Sequence, residues 1–114
     1  MGMTNIFVYG TLKRNHRRNF YLRDETFIGE IETTAQYRLY KAFLCDYPCM
    51  VESTGGQSIK GELWQVSDEC LSRLDFLEKG FQRKTILLHN GESAQAYICA
   101  QKPLFSRNIG KEFM

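Results

Sequence analysis

One segment of this chain, residues 68–78, clearly has the pattern of a helix, and this limits the folds that the chain can form. Ser67 is a favourable N-cap, Leu71 and Leu74 recur at helical spacing, and Gly80 ends the pattern. A parallel sheet needs a crossover, usually a helix, between paired strands, and one helix cannot supply that alternation. We therefore expect strands that pair mainly in antiparallel fashion, with a single helix packed against them.

The remaining segments have strand patterns that turn residues separate. Asn90-Gly91 is a strong hairpin signal, residues 53–56 are a predicted turn, and Tyr47-Pro48 indicates a turn or a sheet edge. The predicted strands cover residues 5–9, 26–31, 36–40, 58–66, 83–89 and 93–100. The chain has 114 residues, the size of one domain. We predict a single α+β domain over residues 1–114, built as a small mixed, largely antiparallel sheet or β-barrel with one main packed helix.

Charge and hydropathy narrow the classes of function. The net charge is +2, which gives no strong global attraction to nucleic acids or membranes. Residues 13–18, which we call the basic loop, concentrate Lys13, Arg14, Arg17 and Arg18 and leave nucleic-acid or phosphate binding as one alternative. No apolar run reaches the roughly 20 residues of a membrane helix, and the N-terminus lacks signal-peptide features. We expect a cytoplasmic protein that binds neither nucleic acid nor membrane.

The cysteines and histidines do not indicate a metal site. Only Cys45 and Cys49 are close together in the sequence, and neither His16 nor His89 lies near them. We expect the cysteines to be isolated, buried or half-buried thiols in a reducing compartment. This expectation covers Cys45, Cys49, Cys70 and Cys99.

Glu78 breaks the apolar pattern of the predicted helix. It falls on the same face as Leu71 and Leu74, where a carboxylate is costly unless it is hydrogen-bonded or lines a cavity. Burial and the negative end of the helix dipole both raise the pKa of a carboxyl group at this position. A carboxylate of raised pKa is a good general base. Glu78 is therefore a candidate catalytic residue, with fraying into solvent or pairing with Lys79 or Arg83 as the alternatives.

The segment Tyr9-Gly10-Thr11-Leu12 follows a predicted strand, residues 5–9, that is apolar enough to be buried on both faces. Glycine lets the backbone turn tightly and leaves N–H groups free to bind an anion or a carbonyl oxygen. An ordinary turn is the alternative, because many strands end at a glycine. We name residues 9–12 the pocket loop and treat them as candidate ligand-binding residues.

These features together resemble one family. The matching segments run from Phe7 to Arg14, through Tyr47-Pro48, from Gly61 to Val66, through Leu74-Asp75 and Glu78, through Phe81-Gln82-Arg83, and to Tyr97 in a late aromatic strand. In this order and spacing they resemble the gamma-glutamylcyclotransferase-like proteins over about residues 5–103. Asn15, Lys79 and Phe81 stand where that family commonly has Gly, Gly and Tyr.

The resemblance implies a small mixed barrel and a specific reaction. In that reaction the α-amine of a γ-glutamyl group attacks its own γ-carbonyl, giving 5-oxoproline and a free amine or amino acid. It implies that Glu78 is the catalytic residue, that Tyr9, Gly10, Thr11 and Leu12 bind substrate, and that Tyr97 lies near them. No cofactor or metal is implied, because the nucleophile is already in the substrate.

Two questions stay open at this point. The same pocket could serve a non-catalytic module that binds a small acidic metabolite, and such a module would bind its ligand without turnover. Neither the group attached to the γ-glutamyl carbonyl nor the oligomeric state follows from the sequence. One or two groups of the basic loop could attract an anionic substrate.

Overall fold

The computed structural model of the protein describes residues 2–114. Its one α-helix in this range, α1 (Asp68–Leu77), directly follows a strand, and a single 3₁₀ turn spans Asn19–Leu22. The eight strands in the same range are β1 (Met3–Val8), β2 (Thr26–Glu32), β3 (Tyr37–Ala42), β4 (Pro48–Glu52), β5 (Lys60–Ser67), β6 (Gln82–Leu87), β7 (Ser93–Ile98) and β8 (Ser106–Asn108). The predicted helix and all six predicted strands are therefore confirmed, with ends that shift by up to two residues.

The strands form two sheets. The larger sheet has the order β2-β5-β1-β7-β6 and the smaller one β4-β3-β8. All pairs are antiparallel except β1 with β7, which pair in parallel near Ile6 and Gln95. The edge strands β2 and β6 approach each other only where they end, through a bridge between Thr33 and Leu88. The α+β class with mixed, largely antiparallel pairing is thus confirmed, but the sheet does not close fully, and "barrel" describes it loosely.

The helix begins and ends for local reasons. The Ser67 side chain accepts a hydrogen bond from the Cys70 N–H at 3.2 Å, as expected of an N-cap. The last helical hydrogen bond runs from the Glu78 N–H to the Leu74 carbonyl at 2.8 Å, and Gly80 follows with a φ of 104°. Leu74 is completely buried against the larger sheet. Glu78 is therefore the C-cap residue, at the point where the chain leaves the helix.

The end of β1 lies between two clusters of buried apolar side chains. Phe7 and Tyr9 belong to the cluster between the sheets, while Ile6 and Val8 belong to the cluster under α1. These four residues are at most 6% exposed, so the prediction of burial on both faces is confirmed for this half of the strand. The pocket loop leaves β1 at the boundary between the two clusters, and this position places it beside the end of α1.

The segment around Pro48 and Cys49 confirms one expectation and contradicts another. Of the two alternatives for Tyr47-Pro48, a turn or an edge, the edge is confirmed, because Pro48 begins β4, an edge strand of the smaller sheet. The expectation of isolated thiols is wrong for Cys49 and Cys99, which form a disulfide with their Cα atoms 6.0 Å apart. These residues are far apart in sequence, and the contact between β4 and the end of β7 brings them together.

The expectations for the other two cysteines and for two turns are confirmed. Cys45 and Cys70 are free thiols, half-buried and buried respectively. The turn at residues 53–56 is present, and Asn90-Gly91 lies in the connection between β6 and β7. No helix within residues 2–114 has the length and apolar character needed to span a membrane.

Candidate active site

A cavity of about 150 Å³ lies where the pocket loop, the end of α1 and the start of β4 meet. A cavity of this size holds a small organic group. All six residues predicted as catalytic or substrate-binding contribute to its wall: Tyr9, Gly10, Thr11, Leu12, Glu78 and Tyr97. The sequence pattern placed Glu78 on the helix and the pocket loop after a strand, and the structure brings the two together.

The pocket loop offers several hydrogen-bond donors to the cavity. Gly10, Thr11 and Leu12 are all buried, yet their backbone N–H groups donate to no other residue among those the structure describes. Buried backbone N–H groups almost always have a partner, so a row of free ones beside a cavity indicates a site for an anionic or carbonyl oxygen. The Thr11 hydroxyl also makes no hydrogen bond within residues 2–114.

Contacts on both sides hold the pocket loop in place. The Thr11 carbonyl accepts from the Arg18 N–H at 2.9 Å, and the Leu12 carbonyl accepts from the Asn19 side-chain amide at 2.8 Å. Gly10 packs directly against the ring of Pro48, where an added Cβ would lie 2.8 Å from the ring Cδ. Glycine is therefore required at this position for close packing, and the carbonyl groups of the loop are used while its N–H groups stay free.

Tyr9 contributes its ring to the cavity wall and its hydroxyl to the core. The hydroxyl donates to the Tyr97 carbonyl at 2.6 Å and accepts from the Met50 N–H at 3.1 Å. Burial raises the pKa of Tyr9 far above its ordinary value, so the hydroxyl stays protonated. Because both of its hydrogen bonds go to backbone groups on β7 and β4, Tyr9 fixes the cavity wall and its hydroxyl is not free for a ligand.

Glu78 is the acidic residue in the cavity wall. It is half-buried, and its carboxylate makes no hydrogen bond or ion pair within residues 2–114. Burial raises the pKa of Glu78, and the positive charge of Arg18 lowers it by a smaller amount. The suggested pairing with Arg83 is wrong, because Arg83 binds Asp75 at 2.9 Å instead. The suggested pairing with Lys79 is also absent, since the Lys79 amine makes no ion pair in the described chain.

Tyr97 is held by a chain of charged groups outside the cavity. Its hydroxyl donates to Asp75 Oδ1 at 2.6 Å, and the Arg83 guanidinium donates to the same carboxylate at 2.9 Å. Burial, together with this hydrogen bond to Asp75, raises the pKa of Tyr97 well above its ordinary value. The ring is therefore fixed as a neutral part of the wall beside Glu78.

The sequence pattern did not single out every residue of the wall. Arg18 lines the cavity, although it was considered only as a member of the basic loop. Apolar parts of the wall come from Tyr47 and Pro48, which are adjacent in the sequence, and from Phe81 in a separate segment. Tyr47-Pro48 and Phe81 belong to segments that carry the family resemblance, but they are not among the predicted site residues, and the fold places them in the wall. His16 lies against the ring of Phe113, away from the cavity.

Comparison with known proteins identifies the family. The family model described as gamma-glutamyl cyclotransferase, AIG2-like, matches residues 6–111. The chain belongs to this family. A protein of Vibrio cholerae that carries the name gamma-glutamylcyclotransferase is 41% identical over 73 residues, which are 64% of this chain and 60% of that protein.

Other members of the family have similar sequences or folds. The zebrafish (Danio rerio) gamma-glutamylaminecyclotransferase B is 34% identical over 104 residues, covering 80% of this chain and 54% of the zebrafish protein. The matched regions thus span between half and two thirds of these two curated relatives. The crystal structure of a mouse AIG2-like protein superposes with a TM-score of 0.78 and 27% identity, covering 92% of this chain and 83% of the mouse chain. The resemblance stated from the motifs is therefore confirmed at the level of the family and its fold.

The chemistry open to this AIG2-like site follows from its groups. It has one unpaired carboxylate that can accept and return a proton, and a row of free N–H groups that can hold negative charge. Within residues 2–114, no three His, Cys, Asp or Glu side chains converge on a point where a metal ion could bind. Within the described residues the cavity wall contains no Ser or Cys side chain, and its one carboxylate, Glu78, is suited to activate a nucleophile that the bound molecule supplies.

Proposed function

We propose that this protein is a gamma-glutamyl cyclotransferase that converts a γ-glutamyl amide into 5-oxoproline and a free amine or amino acid. The observation that supports this most strongly is the unpaired Glu78 carboxylate beside the free N–H groups of the pocket loop. Its family supports the same reaction, and the relatives carry names of this activity.

The proposed reaction begins with Glu78 as a general base. The α-amine of the substrate is protonated near neutral pH and is not nucleophilic until a base removes a proton. Glu78, with its raised pKa, takes that proton, and the free amine attacks the γ-carbonyl carbon to form the ring C–N bond. The N–H groups of Gly10, Thr11 and Leu12 bind the oxyanion that develops on the carbonyl oxygen or the α-carboxylate of the glutamyl group.

Collapse of the intermediate completes the reaction. The bond between the γ-carbon and the leaving nitrogen breaks as Glu78 returns a proton to that nitrogen. Two protons leave the attacking nitrogen and two are taken up by the leaving nitrogen, so the ammonium charge moves from substrate to product. Glu78 ends in its original state, and the cavity needs no other reactive group.

The test is release of 5-oxoproline from a panel of γ-glutamyl amines and γ-glutamyl dipeptides. We expect the parent protein to release it and Glu78→Gln to be slower by about 10²- to 10⁴-fold, the usual contribution of a general base. The matched control is Glu69→Gln, which changes an exposed carboxylate in the first turn of the same helix and should retain parental activity.

Two results would contradict the proposal. Equal rates for the parent and Glu78→Gln would exclude Glu78 as the proton carrier. If no member of the panel is turned over while one binds the parent and Glu78→Gln equally well, a non-catalytic binding module becomes the better description. Thermal unfolding of each variant shows that a loss of activity does not come from a loss of structure.

A further inference from the structure

The four cations of the basic loop differ in how they are paired. Arg14 binds Glu62 and Glu30, and Arg17 binds Asp46 at 2.8 Å. Lys13 donates to the Phe113 carbonyl at 2.6 Å. The last of the four, Arg18, has a side chain with no hydrogen bond or ion pair within residues 2–114, and it is the one that lines the cavity. Its paired neighbours have structural roles, and this argues against the loop as a nucleic-acid site.

Arg18 is placed where a bound molecule would be its partner. Its side chain is half-buried, and a partly dehydrated guanidinium without an anion is unfavourable. Arg18 and Glu78 line the same cavity and the Arg18 charge acts on Glu78, yet the two side chains form no ion pair within residues 2–114. The space between them is part of the cavity, and an anionic group of a ligand can occupy it.

Apart from the exposed Lys79, the cavity wall has two elements that favour negative charge. The free N–H groups of the pocket loop form one, and the Arg18 guanidinium, at the end of the basic loop, forms the other. A γ-glutamyl amine carries one carboxylate, on the glutamyl part. A γ-glutamyl amino acid carries two, because its leaving group has a carboxylate two bonds from the leaving nitrogen. The second class of substrate matches the number of anion-binding elements.

We propose that Arg18 binds the carboxylate of the leaving group, so that the substrates are γ-glutamyl amino acids rather than γ-glutamyl amines. This inference rests on the proposed cyclotransferase function. Since Glu78 must reach the leaving nitrogen to return a proton, the leaving-group carboxylate lies close to Glu78, which is where Arg18 is found. Arg18 is then a specificity-determining residue.

The same contact links substrate choice to the strength of the base. In the free protein the Arg18 charge lowers the pKa of Glu78 and weakens it as a base. A carboxylate bound to Arg18 neutralises that charge, and Glu78 becomes more basic when a γ-glutamyl amino acid is bound. A γ-glutamyl amine leaves Arg18 unneutralised and Glu78 less basic.

The test compares two substrates that differ only in the carboxylate, γ-glutamyl-alanine and γ-glutamyl-ethylamine. We expect the parent to prefer γ-glutamyl-alanine in kcat/KM. In Arg18→Met that preference should fall about 10- to 100-fold, the loss expected when a charge-assisted hydrogen bond is removed. Arg18→Lys keeps the charge without the planar geometry and should retain part of the preference. Arg17→Met removes a neighbouring cation outside the cavity and should leave the preference unchanged.

Two outcomes would overturn the inference. A parent that prefers γ-glutamyl-ethylamine contradicts the assignment of substrate class. Equal losses on both substrates in Arg18→Met would mean that Arg18 holds the carboxylate of the glutamyl part, which the two substrates share.

Binding measurements separate this inference from the proposed function. If neither substrate nor any other γ-glutamyl compound is turned over, the cyclotransferase proposal fails. Calorimetric binding of the two compounds to Glu78→Gln, with and without Arg18→Met, still tests Arg18. A preference for γ-glutamyl-alanine that Arg18→Met abolishes supports the inference, and equal binding of the two compounds contradicts it.

Discussion

Two arginine–glutamate combinations in this molecule involve the basic loop, but they differ in their hydrogen bonds and in whether they face the cavity. Arg14 binds Glu62, whose side chain is only 8% exposed and also accepts hydrogen bonds from the Arg14 N–H at 3.0 Å and Trp64 Nε1 at 3.1 Å. Arg18 and Glu78 face the cavity, feel each other's charge, and make no hydrogen bond with each other or with any other described side chain.

The difference separates a structural role from a chemical one. Both oxygens of Glu62 accept hydrogen bonds from within the protein, so this carboxylate is largely satisfied and holds the basic loop onto β5. Glu78 has all of its hydrogen-bonding capacity free, in a place where it is partly dehydrated. Burial of a charge therefore does not by itself indicate a functional residue in this protein, and the unsatisfied charge beside the cavity is what makes Glu78 the candidate.

The largest effect on stability is expected at the structural combination. Glu62→Gln removes the charge and leaves an amide N–H₂ against the Arg14 guanidinium, and should lower the free energy of unfolding by about 2–3 kcal/mol. Urea unfolding measures the loss. Glu30→Gln is the matched control, because Glu30 binds the same arginine with a side chain that is 76% exposed, and it should cost less than about 0.5 kcal/mol. Equal losses in the two variants would contradict the structural role of Glu62.

A smaller effect is expected where the pocket loop packs on β4. Gly10→Ala places a Cβ 2.8 Å from the ring of Pro48, so the loop or the proline must move, at a cost of about 1–2 kcal/mol. The displacement also moves the free N–H groups, so we expect a raised KM for any γ-glutamyl substrate. Gly29→Ala, in β2, adds a methyl group in open space and should change neither quantity. Unchanged KM in Gly10→Ala would show that the loop position does not matter for binding.

The next effect concerns the wall beside Glu78. Tyr97→Phe removes the hydrogen bond to Asp75, which is partly exposed, and should lower the free energy of unfolding by about 1 kcal/mol. Tyr40→Phe is its control, because the Tyr40 hydroxyl makes no hydrogen bond in the described chain. Chemical denaturation of both variants measures the difference, and a Tyr97→Phe protein as stable as the parent would contradict the anchoring role of that hydroxyl.

The smallest effect is a pH-dependent gain in stability. The pKa of Glu78 is higher in the folded protein than its ordinary value of 4.5, so the ionised form is disfavoured by folding. Glu78→Gln should therefore be more stable than the parent at neutral pH. As the pH falls through the raised pKa the difference should shrink, and below about 4.5 it should vanish, because both proteins then carry a neutral side chain there.

Unfolding midpoints between pH 4 and pH 8 test this last expectation, with Glu69→Gln as the comparison. Glu69 lies in the first turn of α1, where a carboxylate is favourable, so its exchange should lose stability rather than gain it. A Glu78→Gln protein that is less stable than the parent at neutral pH would mean that the Glu78 carboxylate has a favourable partner.

Local patterns predicted much of the fold and two parts of the candidate site, Glu78 and the pocket loop. The cap at Ser67 and the spacing of Leu71 and Leu74 were sufficient for α1. Glu78 could be found because a carboxylate at helical spacing from buried leucines contradicts the pattern around it. The pocket loop could be found because a glycine follows a strand that is buried on both faces.

Features that depend on contacts between distant segments could not be predicted. Arg18 is one of several cations in an irregular loop, and only the fold decides which of them reaches the cavity. The disulfide between Cys49 and Cys99 depends on the approach of β4 to β7. The strand β8 is three residues long, and its pairing with β3 comes from the tertiary structure rather than from local preference.

The proposed role of Glu78 as a base of raised pKa is tested most directly by an NMR titration of its side-chain carboxyl in the parent protein and in Arg18→Met. We expect a midpoint above 4.5 in the parent and a higher one in Arg18→Met, since burial raises the pKa of Glu78 and the Arg18 charge opposes that shift. A midpoint at or below 4.5 in the parent would exclude a Glu78 that is strengthened as a base by burial, because such a carboxylate would be hydrated or paired.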